Sequence, residues 1–432
     1  MERVQGLPRA ILHVDGDAFF AACEVARNPG LRGQPVVTGR ERGIVSAATY
    51  EAKKLGIHRA MPIFQVKKQF PQVTILAGDY DLYGMYAKRL YAIVGRYARR
   101  VEEYGIDECF GDLTGQDEAL GMPLPDIARR VKEDLSTELA LSFSVGLAGT
   151  KALAKLGSKW GKPNGLTVIL PDDAWQYLAG TAIKDVWGIG RALSVQLEAH
   201  NINSALDFVE RPGAWIEGKF AQPTFELWKE LRGEAVWKLA HGVPAAPHSI
   251  QRTRTFTPPS ADAAFLWSHL SGNVEEACMR ARADGLIPAR ASFFIKSQEF
   301  RYRGDDIRLP YPSDAPTDVL KALRPAFLKS YERGVRYRAT GVTLFAFRGE
   351  HDLQLDMWGG GEQSRQTSNV FASLDRLAEK YGESVVSLGS SFMAAQRAAG
   401  RHIPGEDAYR ERFRIPGTGR KHLPLPVLGS VS

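Results

Sequence analysis

Cysteine is scarce in this chain of 432 residues, with three in all. Cys23, Cys109 and Cys278 are odd in number and far apart, which excludes a disulfide framework and a CxxC metal site and points to a reducing compartment. No apolar run approaches the roughly 18 residues that cross a bilayer. The apolar stretch at residues 11–14 is cut short by Asp15 and Asp17, so it cannot be the core of a signal peptide. Neither sign of charge dominates: 56 Lys+Arg stand against 49 Asp+Glu, a formal +7. With 44% hydrophobic and 24% charged residues, intrinsic disorder is excluded as the main state. What remains is a soluble, cytoplasmic protein without a membrane partner. At about 100 to 200 residues per domain, its length allows two to four domains.

The charge is unevenly placed. Residues 248–348 hold sixteen basic and ten acidic side chains, and residues 401–432 hold six and three. The rest of the chain has a net charge of −2. A basic module joined to a near-neutral one is the footprint of a protein that grips a polyanion with one part, and equally of an Arg-rich solvated surface.

The first 175 or so residues alternate strand-like and helix-like patterns. Residues 10–14 read as a strand, 18–26 as a helix, and 35–37 and 43–45 as strands. A helix at 49–55 stops at Gly56. A long amphipathic helix is predicted over 81–102, two strand segments around a bend over 104–112, a helix over 124–139 and a strand over 142–147. This order fits an α+β or mixed-sheet domain rather than a doubly wound one. Residues 172–244 are rich in helix formers with short glycine turns, and Pro244 to Pro247 reads as a linker. The basic module alternates again, with strands over 291–300 and 335–347 and helices over 261–282 and 319–331. Gly359 to Gly361 reads as a flexible break, 368–380 as an amphipathic helix, and the end as a Pro-, Gly- and Arg-rich tail.

Asp15 ends the first strand, and Asp107 and Glu108 sit side by side inside an apolar segment. Adjacent buried carboxylates need a cation or hydrogen bonds to compensate them, and they converge only where the backbone bends. If the three meet, they form an all-oxygen site suited to Mg2+; singly, each reads as an ordinary strand-end or turn residue. Tyr50 and Lys53 share one face of a short helix. Lys162 projects from a turn, and Phe19 and Phe20 open the helix after Asp17. Taken singly these are core aromatics and solvated lysines. VWGIG at 186–190 has the helix-hairpin-helix pattern, in which Gly188 and Gly190 let backbone N–H groups approach a phosphate without reading sequence.

In combination, VDGDAFF at 14–20, SAATYEAKKLG at 46–56, IDECFGDLT at 106–114, SVGL at 144–147, GKPNG at 161–165 and the hairpin at Trp187 closely resemble the Y-family translesion DNA polymerases. The resemblance covers about residues 9–350 and, weakly, the helix ending at Tyr381 and Gly382. It implies an α+β multidomain right-hand polymerase. Its parts are a palm of mixed β-sheet plus helices (1–20 and 79–172), small fingers (21–78), a helical thumb with the hairpin (173–243), the linker (244–247) and an α/β little finger (248–350). A C-terminal extension (351–432) follows.

Carried over residue by residue, the resemblance implies that Asp15, Asp107 and Glu108 hold two Mg2+ ions, which Mn2+ can replace, with Gly16 touching the nucleotide-side ion. It makes Tyr50, Lys53 and Lys162 the triphosphate contacts, Phe20 the steric gate against a 2′-hydroxyl, and Phe19 a second ring against the nucleotide. It implies two-metal nucleotidyl transfer from dNTP to a primer 3′-hydroxyl on primer-template DNA, at low fidelity. The enzyme would be a monomer, associated with the nucleoid when on DNA. Family members usually carry Ser where this chain has Gly105, often Arg where it has Lys53, and sometimes Thr where it has Ala47. HLPLP at 422–426 faintly resembles a peptide that binds the sliding clamp, without the leading Gln. The competing readings are a polymerase-like scaffold that recruits repair proteins, whose kind typically lacks the metal carboxylates, and a nucleotide cyclase, which would need no glycine hairpin or basic module.

Overall fold

The computed structural model describes residues 7–240, 247–349, 360–381 and 386–394. The chain divides into two compact units, Met1–Pro244 and Ala245–Ser432. Among the described residues no helix is long and apolar enough to cross a membrane.

The first unit is built on β1 (Ile11–Gly16), which is buried along almost its whole length. A central strand covered on both faces must be apolar on both, and β1 divides its residues between two cores. Leu12 and Val14 join Tyr83, Leu90, Ile127 and Val131, from helices Tyr80–Val94 and Leu124–Leu139. Ile11 joins Leu153, Ala154 and Leu156, from helix Lys151–Trp160. A small sheet is formed by β2 (Val36–Thr38), β3 (Ala47–Ala48) and β4 (Thr74–Leu76), in the order β3-β2-β4. The main sheet adds β5 (Val101–Gly105), β6 (Glu108–Asp112), β7 (Phe143–Ala148) and β8 (Leu166–Ile169), in the order β5-β6-β1-β7-β8. Only its β7–β8 pair is parallel. Five short helices between Ala174 and Leu231 follow, packed on a core that includes Leu197, Phe208, Ile216 and Trp228.

Several elements differ from the sequence reading. The predicted 81–102 helix ends at Val94, and β5 begins at Val101. Tyr97, Ala98 and Val101 all face the same core, so the apolar spacing ran on past the helix end. The strand read at 43–45 is a single bridge between Ile44 and Pro62. Helix Lys151–Trp160 escaped the sequence reading.

The second unit is a four-stranded antiparallel sheet of β9 (Ser249–Ser260), β10 (Ile287–Ser297), β11 (Tyr302–Arg308) and β12 (Tyr337–Arg348), in the order β11-β10-β12-β9. Helices Ala263–Ala283 and Pro316–Ser330 pack on Ala291, Phe293 and Ile295 of β10. Strands β9 and β11 were not read from the sequence because they carry few apolar residues and lie largely exposed. Helix Gly360–Tyr381 takes in Gly360 and Gly361, two residues of the expected flexible break. It is tied to the sheet's long helix by Arg282, whose Nε donates to Asp375 Oδ2 at 2.6 Å. HLPLP at 422–426 lies outside the described residues.

Candidate active site

Antiparallel pairing sets Asp15 of β1 directly opposite Glu108 of β6. The β5–β6 pairing shifts register between Glu103 and Gly105, which is the bend two adjacent acids require. Beside that pair the Gly16 N–H donates to the Asp107 carbonyl at 2.8 Å, so Asp107 lies across from Gly16, next to the Asp15–Glu108 pair. A β-carbon at Gly105 would come within 3.0 Å of Glu108 Cγ and 3.5 Å of Asp107 Oδ1. Glycine there leaves space for both acids.

The electrostatics record the crowding. Burial, then the neighbouring charges of Asp15 and Glu108, push the Asp107 carboxyl above its ordinary value. Burial pushes Glu108 the same way, but its bonds with His13 and Lys155 outweigh that and hold it at about 2. Lysines supply the positive charge: Lys162 is ion-paired with Asp15 and Lys155 with Glu108. Among the described residues, no three His, Cys, Asp or Glu side chains are gathered into a cage for an ion. The donor types are nevertheless those a hard cation takes, carboxylates and a backbone carbonyl, at the adjoining ends of β1 and β6. The lysine ammoniums show that the edge accepts cationic partners.

Asp17, which the sequence reading used only as a strand stop, braces the site. It is 2% exposed, accepts from Ser144 Oγ at 2.8 Å, and accepts from the Asn164 N–H at 2.8 Å. The second bond ties down the turn that carries Lys162. Tyr50 opens helix Tyr50–Lys54, which Thr49 caps through the Ala52 N–H. Burial, then the charges of Asp17 and Asp15, raise the Tyr50 phenol to about 12. Lys53 Nζ stands 4.1 Å from the centre of the Tyr50 ring. Burial and the charge of Lys162 lower its pKa, so both lysines belong to one field.

The two phenylalanines part company. Phe19 is 3% exposed and lies in the sheet's core, whereas Phe20 is half-buried. The Phe20 ring stacks on Tyr83 at 4.5 Å and meets Tyr80 edge-on at 5.4 Å. Gly188, at φ +89°, and Gly190 are exposed at the entry to helix Arg191–Glu198. They lie away from the carboxylates in sequence, yet Trp187, the residue before them, reaches Tyr104 and Phe110.

His13, Lys155 and Ser158 were missed by the sequence reading. His13 is fully buried, with Nδ1 2.7 Å from Ser158 Oγ and Nε2 3.3 Å from Glu108 Oε2. The one available signal was a histidine inside an otherwise apolar strand, which also fits a satisfied core residue.

Residues 14–159 match the impB/mucB/samB family, and residues 247–357 match the C-terminal domain of that family. A protein of Lactococcus lactis subsp. cremoris named DNA polymerase IV is 30% identical over 368 residues, covering 81% of this chain and 97% of its own. A DNA polymerase IV of Dehalococcoides mccartyi is 27% identical over 390 residues, covering 89% and 98%. Among solved structures, a Y-family polymerase chimera of Dbh and Dpo4 superposes with a TM-score of 0.66 at 23% identity, over 79% of this chain and all of that one. An insertion ternary complex of Dbh DNA polymerase gives 0.51 at 24% identity, over 80% of this chain and all of that one.

The fold is that of a right-hand DNA polymerase, α+β and multidomain. The chain belongs to the Y family of DNA polymerases, the impB/mucB/samB family, whose members copy damaged templates.

Proposed function

We propose that the chain is a template-directed DNA polymerase of the lesion-bypass class, with its reaction centre at the edge shared by Asp15, Asp107 and Glu108. The observation that carries this reading is the pairing of Asp15 with Glu108 across β1 and β6, with Asp107 beside them and Lys162, Lys53 and Tyr50 around. The three carboxylates and the Gly16 carbonyl would hold two Mg2+ ions, or Mn2+, which supply neutralisation of phosphate charge and activation of the attacking hydroxyl. In the reaction the primer 3′-oxygen bonds to the α-phosphorus of the dNTP. The bond from that phosphorus to the bridging oxygen breaks, pyrophosphate leaves, and the hydroxyl proton passes to solvent.

The chain's own groups do the positioning. Lys162 and Lys53 neutralise the triphosphate, and the Tyr50 hydroxyl hydrogen-bonds it. Lys53 acts as a point charge, without the bidentate fork an Arg would offer. Phe20, backed by Tyr83, forms a rigid floor under the sugar that excludes a 2′-hydroxyl, and Phe19 fixes the start of helix Phe19–Arg27 from beneath. The catalytic sheet is the palm, 1–20 and 79–172. Residues 21–78 are the fingers, 173–243 the thumb, 244–247 the linker, 248–350 the little finger and 351–432 the extension. Gly188 and Gly190 hold a strand by its phosphates, and the little finger grips the duplex through its net positive charge. The tail offers a contact for the sliding clamp. The enzyme works in the cytoplasm, at the nucleoid when on DNA.

Asp107→Ala tests the assignment: primer extension is abolished while primer-template binding, followed by fluorescence anisotropy, stays near wild type. Extension that survives this substitution would remove Asp107 from the centre. Phe20→Ala is expected to admit ribonucleotides, and unchanged sugar discrimination would take the gate role from Phe20.

A further inference from the structure

We infer that Lys155 and Trp187 are positioning residues for Glu108, an inference that rests on the carboxylate assignment proposed above. Lys155 lies on helix Lys151–Trp160. Its ammonium is ion-paired with Glu108 Oε2 and stands 3.3 Å from His13 Nε2. Two rings face the same ammonium: the centre of Tyr104 is 5.1 Å from Nζ and that of Trp187 is 5.5 Å. Aromatic faces attract a cation through the ring quadrupole. One cation is thereby held by groups from β1, β5, β6 and the segment that precedes helix Arg191–Glu198.

Each wall of this cage is itself fixed. His13 is held by Ser158 through Nδ1 at 2.7 Å. The Trp187 indole donates to the Tyr104 hydroxyl at 3.2 Å, and its ring packs on Phe110 at 5.7 Å and Trp237 at 5.0 Å. A lysine stem has many rotamers, and ordering it needs such walls. With Lys155 fixed, Glu108 is held by one oxygen, so its second oxygen keeps a defined place beside Gly105. Outer groups that orient a ligand carboxylate act on metal sites in this way. Trp187 immediately precedes Gly188 and stands three residues before Gly190, so the hairpin assigned above to the DNA backbone also contributes a wall around the lysine that holds Glu108.

The test compares purified full-length wild type with Trp187→Ala, Trp187→Phe, Lys155→Met and Glu108→Gln. Mn2+ binding is followed by loss of the free-ion EPR signal, single-nucleotide insertion is measured at varied dNTP, and melting temperatures are recorded. Trp187→Ala is expected to weaken Mn2+ binding and lower kcat about tenfold, the scale of an outer-sphere ligand contact. Its KM for dNTP should stay within about twofold, because the triphosphate lysines are untouched. Trp187→Phe should restore both quantities, and Lys155→Met should lower kcat with KM unchanged. If Trp187→Ala matches wild type in both Mn2+ binding and kcat, the inference is overturned. A loss in melting temperature alone, with Mn2+ binding and kcat intact, would overturn it equally, since the cage would then be packing only. Glu108→Gln separates this from the underlying assignment. If that variant binds Mn2+ as wild type does, the carboxylate reading has failed, whatever the Trp187 variants do.

Discussion

Asp17 shows how one side chain sets the position of others. It receives hydrogen bonds from Ser144 and from the Asn164 backbone while almost fully buried. Removing the acceptor leaves the buried Ser144 hydroxyl unpaired, at about 1–3 kcal/mol, and frees the more exposed Asn164 N–H. Asp17→Ala is therefore expected to lower the melting temperature by several degrees. It should also raise KM for dNTP more than it lowers kcat, because the turn bearing Lys162 loses its tie. A variant with wild-type KM would detach Asp17 from nucleotide binding. Asp15, Asp107 and Glu108 drew notice in the sequence because acids in apolar segments demand compensation, though singly each also read as an ordinary strand-end or turn residue. Asp17 did not, since a strand-ending Asp looks the same whether it faces water or an inner brace. Phe19 and Phe20 could not be told apart as neighbours in sequence; the fold buries the first and half-buries the second on Tyr83.

At the scale of the element, helix Lys151–Trp160 has the most riding on its seating. It lies so close to β7 that a β-carbon at Gly146 would stand 2.0 Å from the Ala154 carbonyl oxygen. Gly146→Ala must push the helix off the sheet, and overpacking of this kind costs about 1–3 kcal/mol or more. Because the helix carries Lys155, polymerase activity should fall together with the melting temperature, as differential scanning calorimetry alongside primer extension would reveal. The same helix buries Lys151 against Glu102, with Nζ 2.8 and 2.7 Å from the two carboxylate oxygens. Lys151→Met strands a buried charge and should destabilise the protein by about 3–5 kcal/mol in urea unfolding. A change below about 1 kcal/mol would mean that water reaches Glu102. The helix escaped the sequence reading, and the charges of Lys151, Lys155 and Lys159 resemble a solvated face although the first two are partly or wholly buried. Elements with one clear apolar face were read well: the helix expected over 124–139 is Leu124–Leu139.

Across the whole molecule, positive charge is concentrated in one part of the chain. The sixteen basic residues of 248–348 fall in a second compact unit with its own sheet and core. If this unit grips the duplex by its phosphates, binding must release counterions. Affinity for primer-template should then fall by orders of magnitude between about 50 and 200 mM salt. A flat salt dependence by fluorescence anisotropy would contradict that role. The alternation of strands and helices and the location of the charge were visible in sequence. The edge strands β9 and β11 were not, because pairing rather than apolar content makes them strands.

The most direct test is primer extension by the purified protein with Mg2+ and dNTPs, on an undamaged and on an abasic template, with Asp107→Ala beside it. The wild type is expected to extend both primers and pass the abasic site, while the variant binds the same DNA and adds nothing. No extension by the wild type, with primer-template binding intact, would contradict this expectation and leave a polymerase fold that serves as a scaffold.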